Sequence, residues 1–120
     1  MGGDPRPDGG GDDVPRILVR CGDESRLVSH VEHGIEEDGV PWAVESGATG
    51  DGVSVAFEAA RASSLKIGVS VLGDRVVVHH KQLPDDDPLF DVREVSTATA
   101  RKLGSNAARL AKGTPLKPLD

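Results

Sequence analysis

Lys66-Ile67-Gly68-Val69-Ser70-Val71-Leu72-Gly73-Asp74-Arg75-Val76-Val77-Val78-His79-His80 is the stretch that decides the fold. Its two β-rich runs, Lys66 to Val71 and Arg75 to His80, are separated only by Leu72-Gly73-Asp74. That is too short for a crossover, so they pair as an antiparallel hairpin. Val76 and Val78 face the core and alternate with solvent-facing or partly buried neighbours. His79 and His80, adjacent in a strand, point to opposite faces, which spoils them as a paired ligand set and makes structural histidine the preferred reading.

Upstream of the hairpin, Arg16 to Arg20 is a short apolar run, read as a buried first strand, and Cys21-Gly22-Asp23 turns into a helix. Between Glu24 and Asp38 the residues Leu27, Val28, Val31 and Ile35 form one helical stripe, and Gly39 is the stop. Val40 to Val44 predicts a second strand opened by Pro41, with Ser46 to Gly50 as its exit loop. A second helix is expected from about Gly52 to Ser63, with Asp51 as N-cap and Val53, Ala56, Phe57 and Ala60 facing inward.

Downstream, Lys81 to Phe90 holds two prolines and the run Asp85-Asp86-Asp87 and reads as a surface loop. A last helix is expected over Thr97 to Lys112, with Ala100, Leu103, Ala107 and Leu110 inward and Gly113 as the stop. The tail with Pro115 and Pro118 adds at most a short edge strand.

Strand, helix, strand, helix, hairpin, helix predicts an α/β fold, a small three-layer α/β/α domain with a mixed, mostly parallel sheet of four to five strands. With 120 residues there is length for one core, burying roughly two thirds of the unfolded surface. Residues 1–14, rich in Gly, Asp and Pro, are expected to be a disordered tail, 15–116 the domain, and 117–120 a C-terminal tail.

The net charge of −6 disfavours nucleic acid and anionic membrane surfaces as partners. Aromatic residues are only Trp42, Phe57 and Phe90, so stacking platforms for bases are nearly absent. No run approaches the roughly 20 apolar residues of a membrane span, and no secretory signal opens the sequence. Cys21 stands alone, which excludes an internal disulfide and C-x-x-C zinc motifs, and a cytoplasmic location is expected.

At about 100° per residue, His30, His33 and Glu37 share the outward side of the first helix and could reach one divalent ion. A solvated helix face has the same pattern and is the preferred reading. Glu36-Glu37-Asp38 meets the negative end of the helix dipole, a local cost that hints at use elsewhere, such as an oxygen ligand to a cation shared with a partner. An exposed charge run is the plainer explanation. Cys21, Ser63 and Ser64 lie in no nucleophile motif. The glycine-rich segments lack the order of phosphate-binding loops, so this chain is expected to bind no nucleotide by itself.

Three blocks together are distinctive. They are His33-Gly34-Ile35-Glu36-Glu37-Asp38-Gly39-Val40-Pro41, then Val76-Val77-Val78-His79-His80-Lys81-Gln82-Leu83-Pro84 with Pro88-Leu89-Phe90, then Gly104-Ser105-Asn106-Ala107-Ala108-Arg109-Leu110-Ala111-Lys112-Gly113. In these the chain resembles the small subunit of the diol and glycerol dehydratase reactivating factors, over about Ile17 to Pro115.

The resemblance implies a fold similar to the dehydratase medium subunit and a non-catalytic role. The expected partners are a large ATPase subunit, in a heterotetramer, and the cobalamin-dependent diol or glycerol dehydratase, from which the complex frees inactivated cobalamin by subunit exchange. No cofactor is expected on this chain alone, ATP or ADP lies in the partner, and Mg2+ sits at the interface between the subunits. There the resemblance makes Glu37 a ligand to the divalent cation and a switchable latch, with Glu36, Glu37, Asp38 and His33 as partner-interface residues. It lends no support to a private metal site at His30 and His33.

A competing reading is the medium subunit of a dehydratase itself, which is usually longer. A third is a stand-alone small-ligand regulator using a crevice at the sheet's carboxyl edge, against which the missing phosphate loop counts. The target dehydratase, glycerol or propanediol, stays open, as does a place free in the cytosol or inside a bacterial microcompartment.

Overall fold

The computed structural model describes residues 14–23 and 25–119. The elements in chain order are β1 (Ile17–Cys21), α1 (Val28–Glu37), β2 (Trp42–Glu45), α2 (Gly52–Ala62), β3 (Ile67–Leu72), β4 (Arg75–His80), β5 (Phe90–Val92) and α3 (Thr97–Lys112). They build one five-stranded sheet in the order β2-β1-β3-β4-β5. β1 pairs in parallel with both β2 and β3, while β3–β4 and β4–β5 are antiparallel, so the mixed sheet is parallel through its first three strands. The hairpin pairs Val69 with Val78 and Leu72 with Arg75, as the short connection requires.

Strand alternation sorts side chains into two layers. Ile17 and Val19 of β1, Val69 and Val71 of β3, and Val76 and Val78 of β4 pack with Leu27, Val31 and Ile35 and with Ala100, Leu103 and Ala107 of α3. The other face of the sheet is covered by α2 through Ala56, Ala59 and Ala60, all fully buried. This is the three-layer arrangement expected, with α1 and α3 on one side and α2 on the other.

Several expectations change in detail. The neighbours of Val76 and Val78 are not solvent-facing, because α2 covers that face and buries Val77 and His79 completely. The loop placed over Lys81 to Phe90 ends earlier, since Phe90 already pairs with Val78 as the start of β5. Helix α1 begins at Val28 and not near Glu24, a residue outside the described set. Its N-cap position is Leu27, which offers no capping oxygen and contributes burial, about 1.5–3 kcal/mol for a side chain taken fully out of water. The first strand runs to Cys21, and the second begins at Trp42 after Pro41.

Other signals are realised as read. Asp51 caps α2 by accepting from the Ser54 amide at 3.1 Å, and Gly113 ends α3 with φ of 74°, the left-handed conformation glycine adopts at low cost. In place of an edge strand, the C-terminal segment is held by the buried Asn106, which donates to the Lys117 carbonyl at 3.0 Å and accepts from its amide at 2.6 Å. Of the tail expected over residues 1–14, only Val14 falls within the described residues.

Candidate functional site

The acid run at the end of α1 lies against one stripe of α3. Arg101, Ser105, Arg109 and Lys112 follow at helical spacing, so they line one side of α3. Glu37 is ion-paired with Arg101 and stays partly exposed, at 37% of its side-chain surface. Asp38 turns inward, at 11%, where it accepts from the Ser105 hydroxyl and from Lys112 Nζ at 3.2 Å and lies 3.4 Å from Arg109 Nε.

The electrostatics follow from those contacts. The Arg101 guanidinium, donating to Glu37, holds its carboxyl below the usual carboxylate range. The Ser105 hydroxyl does the same for Asp38, helped by Lys112 and Arg109. The dipole cost of carboxylates at a helix C-terminus is thus offset, for two of the three, by cations of a neighbouring helix.

Glu36 and His33 are exposed on the same end of α1. His30 and His33 stack edge to face with ring centroids 6.4 Å apart. Among the described residues no three His, Cys, Asp or Glu side chains converge to hold a metal ion, so His30, His33 and Glu37 do not form a ligand set. Glu37 opens onto a surface cleft lined also by His30, Thr97, Arg101, Lys102 and Lys117. A second cleft lies on the α2 side, between Asp51, Phe57, Glu58, Arg61, Asp85 and Asp86.

The other candidates are structural. Cys21 is buried, and burial pushes its thiol up, away from the reactive thiolate. The buried Ser63 hydroxyl donates to the Arg16 carbonyl at 2.6 Å, and Ser64 accepts from the Arg16 amide at 3.1 Å. His79 is fully buried against Phe57. Arg101, Ser105, Arg109 and Lys112 have no site role in the sequence reading, although their spacing of four, four and three is legible as a polar stripe.

Residues 14–117 match the family of the dehydratase medium subunit. The propanediol dehydratase-reactivating factor small subunit of Salmonella typhimurium is 39% identical over 108 residues, which cover 88% of this chain and 93% of that protein. The diol dehydratase-reactivating factor small subunit of Klebsiella michiganensis is 41% identical over 88 residues, 72% of this chain and 70% of that one.

The chain belongs to the small subunits of dehydratase-reactivating factors.

Solved structures agree with this membership. A chain of diol dehydratase-reactivating factor, complexed with ADP and Mg2+, matches with a TM-score of 0.81 at 37% identity, over 87% of this chain and 98% of that one. A chain of glycerol dehydratase reactivase matches with a TM-score of 0.79 at 28% identity, over 88% and 99%. A reactivating-factor small subunit implies a larger partner subunit, and the competing medium-subunit reading is not favoured. Among the described residues no helix is long and apolar enough to cross a membrane.

Proposed function

We propose that this small subunit works in an ATP-dependent, chaperone-like factor that frees inactivated cobalamin from a diol or glycerol dehydratase by subunit exchange. ATP hydrolysis belongs to the large partner subunit, and this chain is a non-catalytic docking element. The observation that carries the reading is a double likeness: the chain matches the medium-subunit family of the dehydratase, while its relatives are small subunits of reactivating factors. A subunit built like the dehydratase's own can be exchanged for it, because both present similar backbones to a common partner surface.

Within that reading, the exposed end of α1 faces the large subunit through His33, Glu36 and Glu37, with Asp38 fixed behind them on α3. Glu37 suits a divalent cation held between the two chains. Its exposed carboxylate is the hard oxygen donor that Mg2+ prefers, and this chain adds no second and third ligand beside it among the described residues. Such a cation supplies a charge bridge, and losing one ligand weakens the joint, which couples nucleotide state to subunit affinity.

Affinity capture of the tagged chain from its native host, with and without ATP and magnesium, tests the assignment. Recovery of a large ATPase chain that ATP loosens is expected; catalytic dehydratase subunits with cobalamin and no ATPase would reverse it. Glu37→Ala is expected to lower the affinity for the large subunit at least about fivefold and to leave this chain folded. An affinity indifferent to magnesium would remove Glu37 from the joint.

A further inference from the structure

Arg101 engages one oxygen of the Glu37 carboxylate, Oε2, so a cation arriving at Glu37 meets a guanidinium already beside it. Among the described residues Glu37 is the one acid paired with that guanidinium, and the like charges of a divalent cation and Arg101 oppose each other at one carboxylate. The backbones beneath the pair are fixed. Asp38 is tied to Ser105 and Lys112, and Gly34, one turn before Glu37, lies directly against the Arg101 carbonyl. The freedom left at this corner is in the two exposed arms, Arg101 at 54% and Glu37 at 37% of their side-chain surface. The other cations of the α3 stripe are committed to Asp38, so Arg101 alone on that stripe answers Glu37, while Lys117 of the C-terminal segment lines the same cleft and adds a weaker attraction.

We infer that Arg101 is a built-in counter-ion for Glu37, occupying the carboxylate in the free subunit and giving it up when Glu37 engages a divalent cation at the joint with the large subunit. The inference rests on the cation-ligand reading of Glu37. Arg101 then acts as a positioning residue. It holds the arm of Glu37 over α3, compensates its charge whenever the subunits are apart, and raises the cation concentration needed to bring them together. An exposed pair suits such a role, because its interaction is weak enough to exchange.

The affinity of the small subunit for its ADP-loaded large subunit, measured over a magnesium series, tests this. Arg101→Gln is expected to lower the half-saturating magnesium concentration about two- to fivefold, the range of an exposed ion pair. Arg101→Lys, which keeps a cation, should return it toward the wild-type value. In a Glu37→Gln background the magnesium dependence should vanish, and Arg101→Gln should add nothing. An unchanged half-saturation in Arg101→Gln, with Glu37→Gln still abolishing the dependence, would overturn the counter-ion role and leave the Glu37 reading standing. Magnesium dependence that survives Glu37→Gln would overturn both. A loss of affinity at every magnesium concentration, none included, would make Arg101 a direct contact with the partner and also overturn the inference.

Discussion

Gly34 on α1 lies against the backbone of Arg101 on α3, so that a Cβ on Gly34 would fall 1.9 Å from the Arg101 carbonyl oxygen and 2.7 Å from the Ser105 amide nitrogen. Gly104 repeats the relationship from the other helix, where a Cβ would fall 2.0 Å from the Val31 carbonyl oxygen. Backbone atoms cannot swing aside as the end of a flexible side chain does. In an open helix, alanine for glycine gains roughly 0.5–1 kcal/mol. Here overpacking of about 1–3 kcal/mol opposes and exceeds it. Gly34→Ala and Gly104→Ala should each lower the urea midpoint at unchanged slope. A Gly34→Ala protein with a raised midpoint would mean that the two helices separate easily, and the fixed backbone beneath Glu37 and Arg101 would go with it.

Asp38 makes the same corner sensitive to acid. Its carboxyl is held below the ordinary range by the Ser105 hydroxyl, then by Lys112 and Arg109. A carboxyl with a depressed folded pKa binds fewer protons folded than unfolded at intermediate pH. The stability it contributes is therefore fully present above the unfolded value, about 3.9, and is lost as pH falls through the folded value. Asp38→Asn should be less stable than wild type at neutral pH, with the gap closing on acidification below pH ~4. Glu37, Asp51 and Asp91 shift in the same direction, so the difference between the two proteins, followed by denaturation at each pH, isolates Asp38. A gap independent of pH would show that the ionised form of Asp38 is not favoured in the folded protein, and that its contacts with Ser105, Lys112 and Arg109 do not depress its titration.

Local chemistry made most of the fold legible, and long-range chemistry hid the rest. Asp51 and Gly113 mark helix ends because a capping carboxylate and a left-handed glycine are properties of a few consecutive residues. The start of α1 has no such mark, since Leu27 contributes burial and no oxygen. Strand β5 is three residues long and follows a loop rich in proline and aspartate; it is held by pairing with β4 and by the fork of Arg75 on Asp91, with both contacts at 2.8 Å. Glu37 was legible as an exposed acid by its helical phase. That Asp38 faces inward was not, because the hydroxyl that receives it, on Ser105, lies 67 residues away.

His79 illustrates the same limit inside the sheet and carries a test of its own. Its Nδ1 accepts from the His80 amide at 2.9 Å, which leaves the proton on Nε2, 3.2 Å from the Asp85 carbonyl oxygen. A fully buried ring on β4, packed against Phe57 of α2 at 5.0 Å between centroids, thus reaches into the loop over residues 81–89 and anchors its middle. The start of that loop is tied by the Lys81 amide to the Lys66 carbonyl, the Gln82 amide to His80 Nδ1 and the Leu83 amide to the His80 carbonyl, and its later half by the Asp87 amide to the Pro84 carbonyl and the Leu89 amide to the Val78 carbonyl. His79→Leu keeps an apolar filling and removes the donor; Asp85 is exposed, so water can replace the lost partner and the cost is the net worth of one hydrogen bond, about 0.5–1.5 kcal/mol. Amide exchange at Asp87 and Leu89 should then quicken roughly two- to tenfold, while exchange within β1 and β3 changes less. Equal acceleration in the loop and in the central strands would assign His79 to core packing alone, and the acidic loop would stand without its anchor from the sheet.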